Sequence, residues 1–153
     1  MRKIKRIPVT QEGYERLVSD LKALKESRPK AVETLSDARK MGDLSENGLY
    51  TAAKMRLRGI DSQIFRLNIQ IKLADIIKEN KNDVVGLGSR VEVSDGQNIR
   101  TFYIVGDYEA DPKNNKISSR SPIGRSLIGK KMGDSVEVSV PSGKVFYKIT
   151  KLI

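Results

Sequence analysis

Gly42-Asp43-Leu44-Ser45-Glu46-Asn47 is the stretch on which the fold turns. It is built from residues that cap helices and make turns, so a helix that reaches it stops and the chain reverses. On its amino-terminal side apolar residues recur at Tyr14, Leu17, Leu21, Leu24, Ala31, Leu35 and Ala38, in steps of three and four, with Arg28 filling the one gap. On its carboxy-terminal side the rhythm returns at Tyr50, Ala53, Leu57, Ile60, Ile64, Leu67, Ile71 and Ala74. Such spacing turns one stripe of a helix towards a partner. Two matching stripes around a break predict an antiparallel coiled-coil hairpin over residues 1–77, with its tip at 42–47. Each arm of about 30 residues would extend roughly 45 Å at 1.5 Å per residue.

The first arm starts at Thr10, whose hydroxyl can accept an amide of the opening turn while Pro8 blocks earlier helix. Pro29 lies within that arm and removes one amide donor, which predicts a kink, or else a break near Ser27 with a new segment starting at Pro29. Beyond Glu79-Asn80-Lys81-Asn82-Asp83 the helical period gives way to alternation. Strands are expected at Arg90 to Ser94, Arg100 to Val105, Ser135 to Val140 and Lys144 to Leu152, with Asp95-Gly96 and Pro141-Ser142-Gly143 as turns. Ser121-Pro122 opening and Gly129 closing a short apolar run has the grammar of one helix, with Ile123, Leu127 and Ile128 available to pack on the sheet. Residues 78–153 therefore form a second, mainly antiparallel domain, and the chain is α+β.

Composition limits the chemistry. Among 153 residues there is no cysteine and no histidine, which excludes disulfides, thiolate or imidazole catalysis and nearly all zinc or haem ligation. Lys and Arg number 29 against 19 Asp and Glu, a net charge of +10 that suits contact with nucleic acid or another polyanion. The basic opening Met1-Arg2-Lys3-Ile4-Lys5-Arg6 runs into Pro8 with no apolar run, so a cytoplasmic protein without a membrane span is expected. Gly86, Gly88 and Gly129 read as turn residues rather than as a phosphate loop.

Asp43 and Glu46 are the only acids between Asp37 and Asp61, and Arg39, Lys40, Lys54, Arg56 and Arg58 surround them. Two readings share this spacing. Asp43 or Ser45 can cap the second helix, with Glu46 reaching back in a capping box. Alternatively, two carboxylates three residues apart can offer oxygens to one magnesium ion, but two ligands are too few for tight binding, so another macromolecule would have to complete the site. The cations likewise either keep the outer faces hydrated or neutralise phosphates of a nucleic-acid backbone. Tyr50 fits the apolar stripe, and a ring beside the tip also suits stacking on a base.

At these residues the chain resembles the Gre family of bacterial transcription elongation factors. The stretch from Ala38 to Asn47, followed by Tyr50 and Ala52-Ala53-Lys54, is similar to the family's tip motif. The likeness extends to Pro8-Val9-Thr10, Glu12-Gly13, Ile104-Val105-Gly106, Glu109-Ala110-Asp111, Ser121-Pro122-Ile123, Leu127-Ile128-Gly129 and Gly133-Asp134.

The resemblance implies an FKBP-like second domain that docks on RNA polymerase. It also implies a coiled coil that enters the polymerase's secondary channel as an accessory factor rather than an enzyme. Asp43 and Glu46, with Ser45 as a further candidate, would then assist the polymerase in cutting backtracked RNA. The magnesium would be shared with the polymerase, with no cofactor bound by the factor alone. Arg39 and Lys54 fall where the family contacts the nascent RNA 3′ end, and Arg56 and Arg58 extend that stripe. A monomer is expected.

Met41 replaces a histidine found in many members, and Gly48-Leu49 replaces an alanine-glutamate pair. Features of both the GreA and GreB branches occur, so the branch stays open. Rival readings are a Gre-like inhibitor that occupies the channel without cleavage, against which the retained acids argue, and an RNA-binding module independent of polymerase. A prolyl isomerase finds no support in only three Phe, five Tyr and no Trp.

Overall fold

The computed structural model describes residues 6–41, 48–78 and 83–153. It divides into two compact units, one spanning Tyr14–Ala74 and the other combining Arg6–Gly13 with Asp75–Ile153. The apolar pattern predicted a hairpin over the whole of 1–77. Arg6–Gly13 instead groups with the second unit, because its backbone and side chains bond there.

In the first unit, helix α1 (Gln11–Lys40) and helix α2 (Gly48–Leu73) supply the two stripes. Ala31, Ala38 and Ala53 are buried and the remaining apolar stripe positions are half-buried. The helices run antiparallel: Asp20 and Leu24 share a groove with Leu67 and Gln70, whereas Ala38 and Met41 share one with Leu49 and Ala53. The gap in the stripe has a physical explanation. Arg28 Nε donates to Asp61 Oδ1 at 2.6 Å and Nη2 donates to Oδ2 at 3.3 Å, a two-pronged pair that joins the helices where an apolar side chain is missing. The bond from Arg28 and its charge hold the Asp61 carboxyl below its ordinary range. α1 passes through Pro29 as one helix, so of the two readings the break near Ser27 with a new segment at Pro29 is not the one found.

The second unit starts with strand β1 (Ile7–Val9), which forms a two-stranded sheet with β2 (Ala74–Ile76), and the Ile77 amide donates to Val9 O at 2.8 Å. A five-stranded sheet follows. It comprises β3 (Arg90–Ser94), β4 (Ile99–Val105), β5 (Lys116–Ser118), β6 (Ser135–Val140) and β7 (Gly143–Leu152), in spatial order β5-β4-β3-β7-β6. All pairings are antiparallel except β4 with β5, which run parallel with Ile104 opposite Ile117. Period-two burial places Val91, Val93, Phe102, Ile104, Val136, Val138, Tyr147 and Ile149 in one core. Within that core Phe102 meets Tyr147 edge to face, with centroids 5.9 Å apart.

Helix α3 (Pro122–Leu127) covers this core, capped as predicted: Ser121 Oγ accepts the Gly124 amide at 3.0 Å, and Gly129 adopts φ +80°. Leu127 is fully buried, but Ile128 is 38 % exposed and does not join the packed face as the sequence suggested. The residue follows the last helical turn, with an extended ψ of 135° that ends the helical period.

The start of α1 is capped across the chain. Thr10 Oγ1 accepts the Gly13 amide at 3.0 Å, the expected helix cap. In a local capping box the third helical residue would be Glu or Gln and would reach back to the Thr10 amide. Here that residue is Gly13, and Glu109 supplies the carboxylate instead, accepting the Thr10 amide at 2.8 Å and the Thr10 hydroxyl. Negative charge at a helix start is also favoured by the helix dipole.

Candidate functional site

Asp43, Ser45 and Glu46 lie outside the described residues, as does the whole 42–47 turn. The helix ends on either side of it are described. α1 closes with Arg39 and Lys40, and α2 opens at Gly48 and carries Tyr50, Lys54, Arg56 and Arg58 in its first turns, all four cations on α1 and α2 named for RNA contact being exposed.

The structure brings some of these residues together. Arg39 and Lys54 each lie 5.8 Å from the centroid of the half-buried Tyr50 ring, one from each helix. A hydrogen bond from Arg39 lowers the Tyr50 phenol below its ordinary range, against the opposing effect of burial, and the charges of Lys54, Arg39 and Arg58 act in the same direction. Arg39, Lys54 and Arg58 therefore share one electrostatic neighbourhood centred on Tyr50. Arg56 instead lines a groove with Thr34, Ala38, Met41, Leu49 and Ala52. Lys40 is engaged locally, its ammonium 3.1 Å from Asp37 Oδ1.

The apolar rhythm accounts for the place of Tyr50 in the stripe but not for its role in joining two cations. Half of that role is visible as the four-residue step from Tyr50 to Lys54, which puts both on one helix face. The Arg39 half depends on hairpin register. The substituted positions also show their effect here: Met41 is 71 % exposed and Leu49 is 66 % exposed, so apolar surface flanks the turn.

Among the described residues no group of three or more acidic, Cys or His side chains comes together, and no helix is long and apolar enough to cross a membrane.

Comparison with known proteins accounts for both units. The family profile described as "Transcription elongation factor, N-terminal" matches residues 7–76, and "Transcription elongation factor, GreA/GreB, C-term" matches residues 80–153. The chain is 41% identical to transcription elongation factor GreA of Novosphingobium aromaticivorans over 155 residues, covering 99% of this chain and 98% of that protein. It is 45% identical to GreA of Geobacillus kaustophilus over 151 residues, covering 95% of each. Among solved structures, GreA factor homolog 1 of Thermus thermophilus aligns with a TM-score of 0.46 at 29% identity, covering 97% of this chain and 99% of that one. With both profiles matched and near-full-length relatives above 40% identity, the chain belongs to the GreA/GreB family of transcription elongation factors.

Proposed function

We propose that this chain inserts its coiled coil into the secondary channel of bacterial RNA polymerase and stimulates the polymerase's own cleavage of backtracked RNA. The observation that carries this reading is the charge pattern at the reversal. Two acids, Asp43 and Glu46, stand alone between helix ends that carry Arg39, Lys54, Arg56 and Arg58. The cations suit a transcript's phosphates, and carboxylates placed among them suit the metal of a phosphodiester reaction rather than the RNA itself.

As hard oxygen donors, Asp43 and Glu46 fit one magnesium ion whose other ligands come from the polymerase and the RNA. Bound there, the ion supplies electrostatic stabilisation to the attacking and leaving oxygens. This chain's residues have three further tasks. Arg39 and Lys54 hold the nascent RNA 3′ end, α1 and α2 give the turn a stiff support of 30 and 26 residues, and the second unit grips the polymerase. With no cysteine or histidine the chain lacks the usual nucleophiles and bases, which suits an accessory factor better than an enzyme. It acts as a cytoplasmic monomer.

The test uses purified polymerase elongation complexes stalled in a backtracked state, with magnesium and the full chain. Release of short 3′ fragments and resumed synthesis are expected. Slowed synthesis with no fragments would show a channel inhibitor instead, and affinity for RNA without affinity for polymerase would show an independent RNA-binding module.

A further inference from the structure

Tyr50 stands between two cations that would otherwise repel. Arg39 closes α1 and Lys54 lies one turn beyond Tyr50 in α2, yet both approach the same ring to 5.8 Å and so sit at most twice that distance apart. An aromatic face carries negative charge density and attracts a cation, so a ring shared by two cations offsets their repulsion and limits how far their long side chains wander. The Tyr50 phenol, held below its ordinary range chiefly by Arg39, agrees with a guanidinium lying beside this side chain. Among the described residues no carboxylate forms an ion pair with Arg39 or Lys54, and the nearby Asp37 is bonded by Lys40. Fixing two cations before a polyanion arrives lowers the ordering cost of binding it.

We propose that Tyr50 is a positioning residue whose ring sets Arg39 and Lys54 as a paired clamp for phosphates of single-stranded RNA. This rests on the RNA contact in the function proposed above and adds the element that gives that contact its geometry. A ring that stacks on a base is the competing role for the same side chain, and the two differ in their response to salt. A phosphate clamp releases counterions when it binds, whereas stacking does not.

The experiment measures fluorescence anisotropy of a fluorescein-labelled single-stranded RNA with the full-length protein and its Tyr50→Leu, Tyr50→Phe, Arg39→Gln and Tyr50→Leu/Arg39→Gln variants, across a series of KCl concentrations. Leucine keeps the stripe apolar, and far-UV circular dichroism verifies that each variant is helical. The clamp predicts that Tyr50→Leu lowers the steepness of log affinity against log salt by about 0.7 for each phosphate that the variant no longer neutralises. Tyr50→Phe, which keeps the ring and removes the hydroxyl, should fall between wild type and Tyr50→Leu. The double variant should bind within about twofold of Arg39→Gln, because residues acting as one unit are not additive. The proposal is overturned by equal slopes in wild type and Tyr50→Leu, by a Tyr50→Leu protein that binds weakly with the slope unchanged, or by a wild type with no salt-dependent affinity. Backtracked complexes assayed in parallel separate this from the broader function: a wild type that shows the Tyr50-dependent slope yet releases no RNA fragments removes the cleavage role and leaves the clamp standing.

Discussion

Helix propensity alone says that replacing Gly13 by alanine should stabilise α1 by up to about 1 kcal/mol. At this position the added Cβ would lie 2.7 Å from Glu109 Cγ and closer still to the carboxylate, so the Glu109 side chain must leave. Leaving forfeits its bonds from the Thr10 amide and hydroxyl, and Thr10 is only 4 % exposed, so water cannot readily replace them. Hydrogen bonds to a charged group contribute about 1.5–3 kcal/mol each. Glu109 is itself half-exposed, so the lower end applies, about 3 kcal/mol for the two. Set against the propensity gain, Gly13→Ala should destabilise the second unit by about 2 kcal/mol and lower its melting temperature by roughly 10 °C. The decisive assay is a double-mutant cycle of wild type, Gly13→Ala, Glu109→Ala and the pair, by urea and thermal unfolding followed through circular dichroism and tyrosine fluorescence. With Glu109 already truncated, Gly13→Ala should change sign and stabilise by up to about 1 kcal/mol. If alanine stabilises both backgrounds equally, Glu109 moves aside at no cost and the cross-chain cap has no energetic weight.

Asp43→Asn and Glu46→Gln should each slow stimulated RNA cleavage by roughly 100-fold or more while polymerase affinity stays within about twofold; parallel loss of binding would assign these acids to the helix cap. Leu127→Ala, which opens space in the sheet's core beneath α3, should cost about 2–5 kcal/mol in urea unfolding, and a loss under about 1 kcal/mol would mean the site collapses around the smaller side chain. Asp61→Asn tests the pair with Arg28 through pH. Because the folded carboxyl titrates below its ordinary value, its stabilisation is fully present above about pH 4 and is lost as the pH falls through the folded pKa. Wild type should therefore exceed the variant at neutral pH and converge with it in acid; a gap that persists at about pH 2 would point to packing rather than charge.

What is legible in the sequence follows from the range of the interactions concerned. The apolar stripes, the Thr10 cap and the Ser121-Pro122 helix start are signals within a few residues, and the structure reproduces them. β5 has only three residues, too few to alternate visibly, and its parallel pairing with β4 is set by the connection through Asp107–Glu109 and Pro112–Asn114. The Glu109 cap joins residues 99 apart in sequence, so a missing Glu at the third helical position was the only local trace of it. Pro29 left two readings open, and the break is not the one found, since one absent amide in a helix of 30 residues is outweighed by the packing of the rest. At the candidate site the acids and cations were legible as residue types. The convergence of Arg39 and Lys54 on Tyr50 was not, because it needs the register between two helices.

That register has its own key. Apolar side chains in a three-and-four rhythm fit almost as well when one helix slides by seven residues, so the stripe alone tolerates a shift of about 10 Å along the axis. Arg28 and Asp61 do not: any slide strands a guanidinium and a carboxylate without each other. Two charges midway along the helices thus favour one alignment of α1 with α2 without contributing any chemistry of their own.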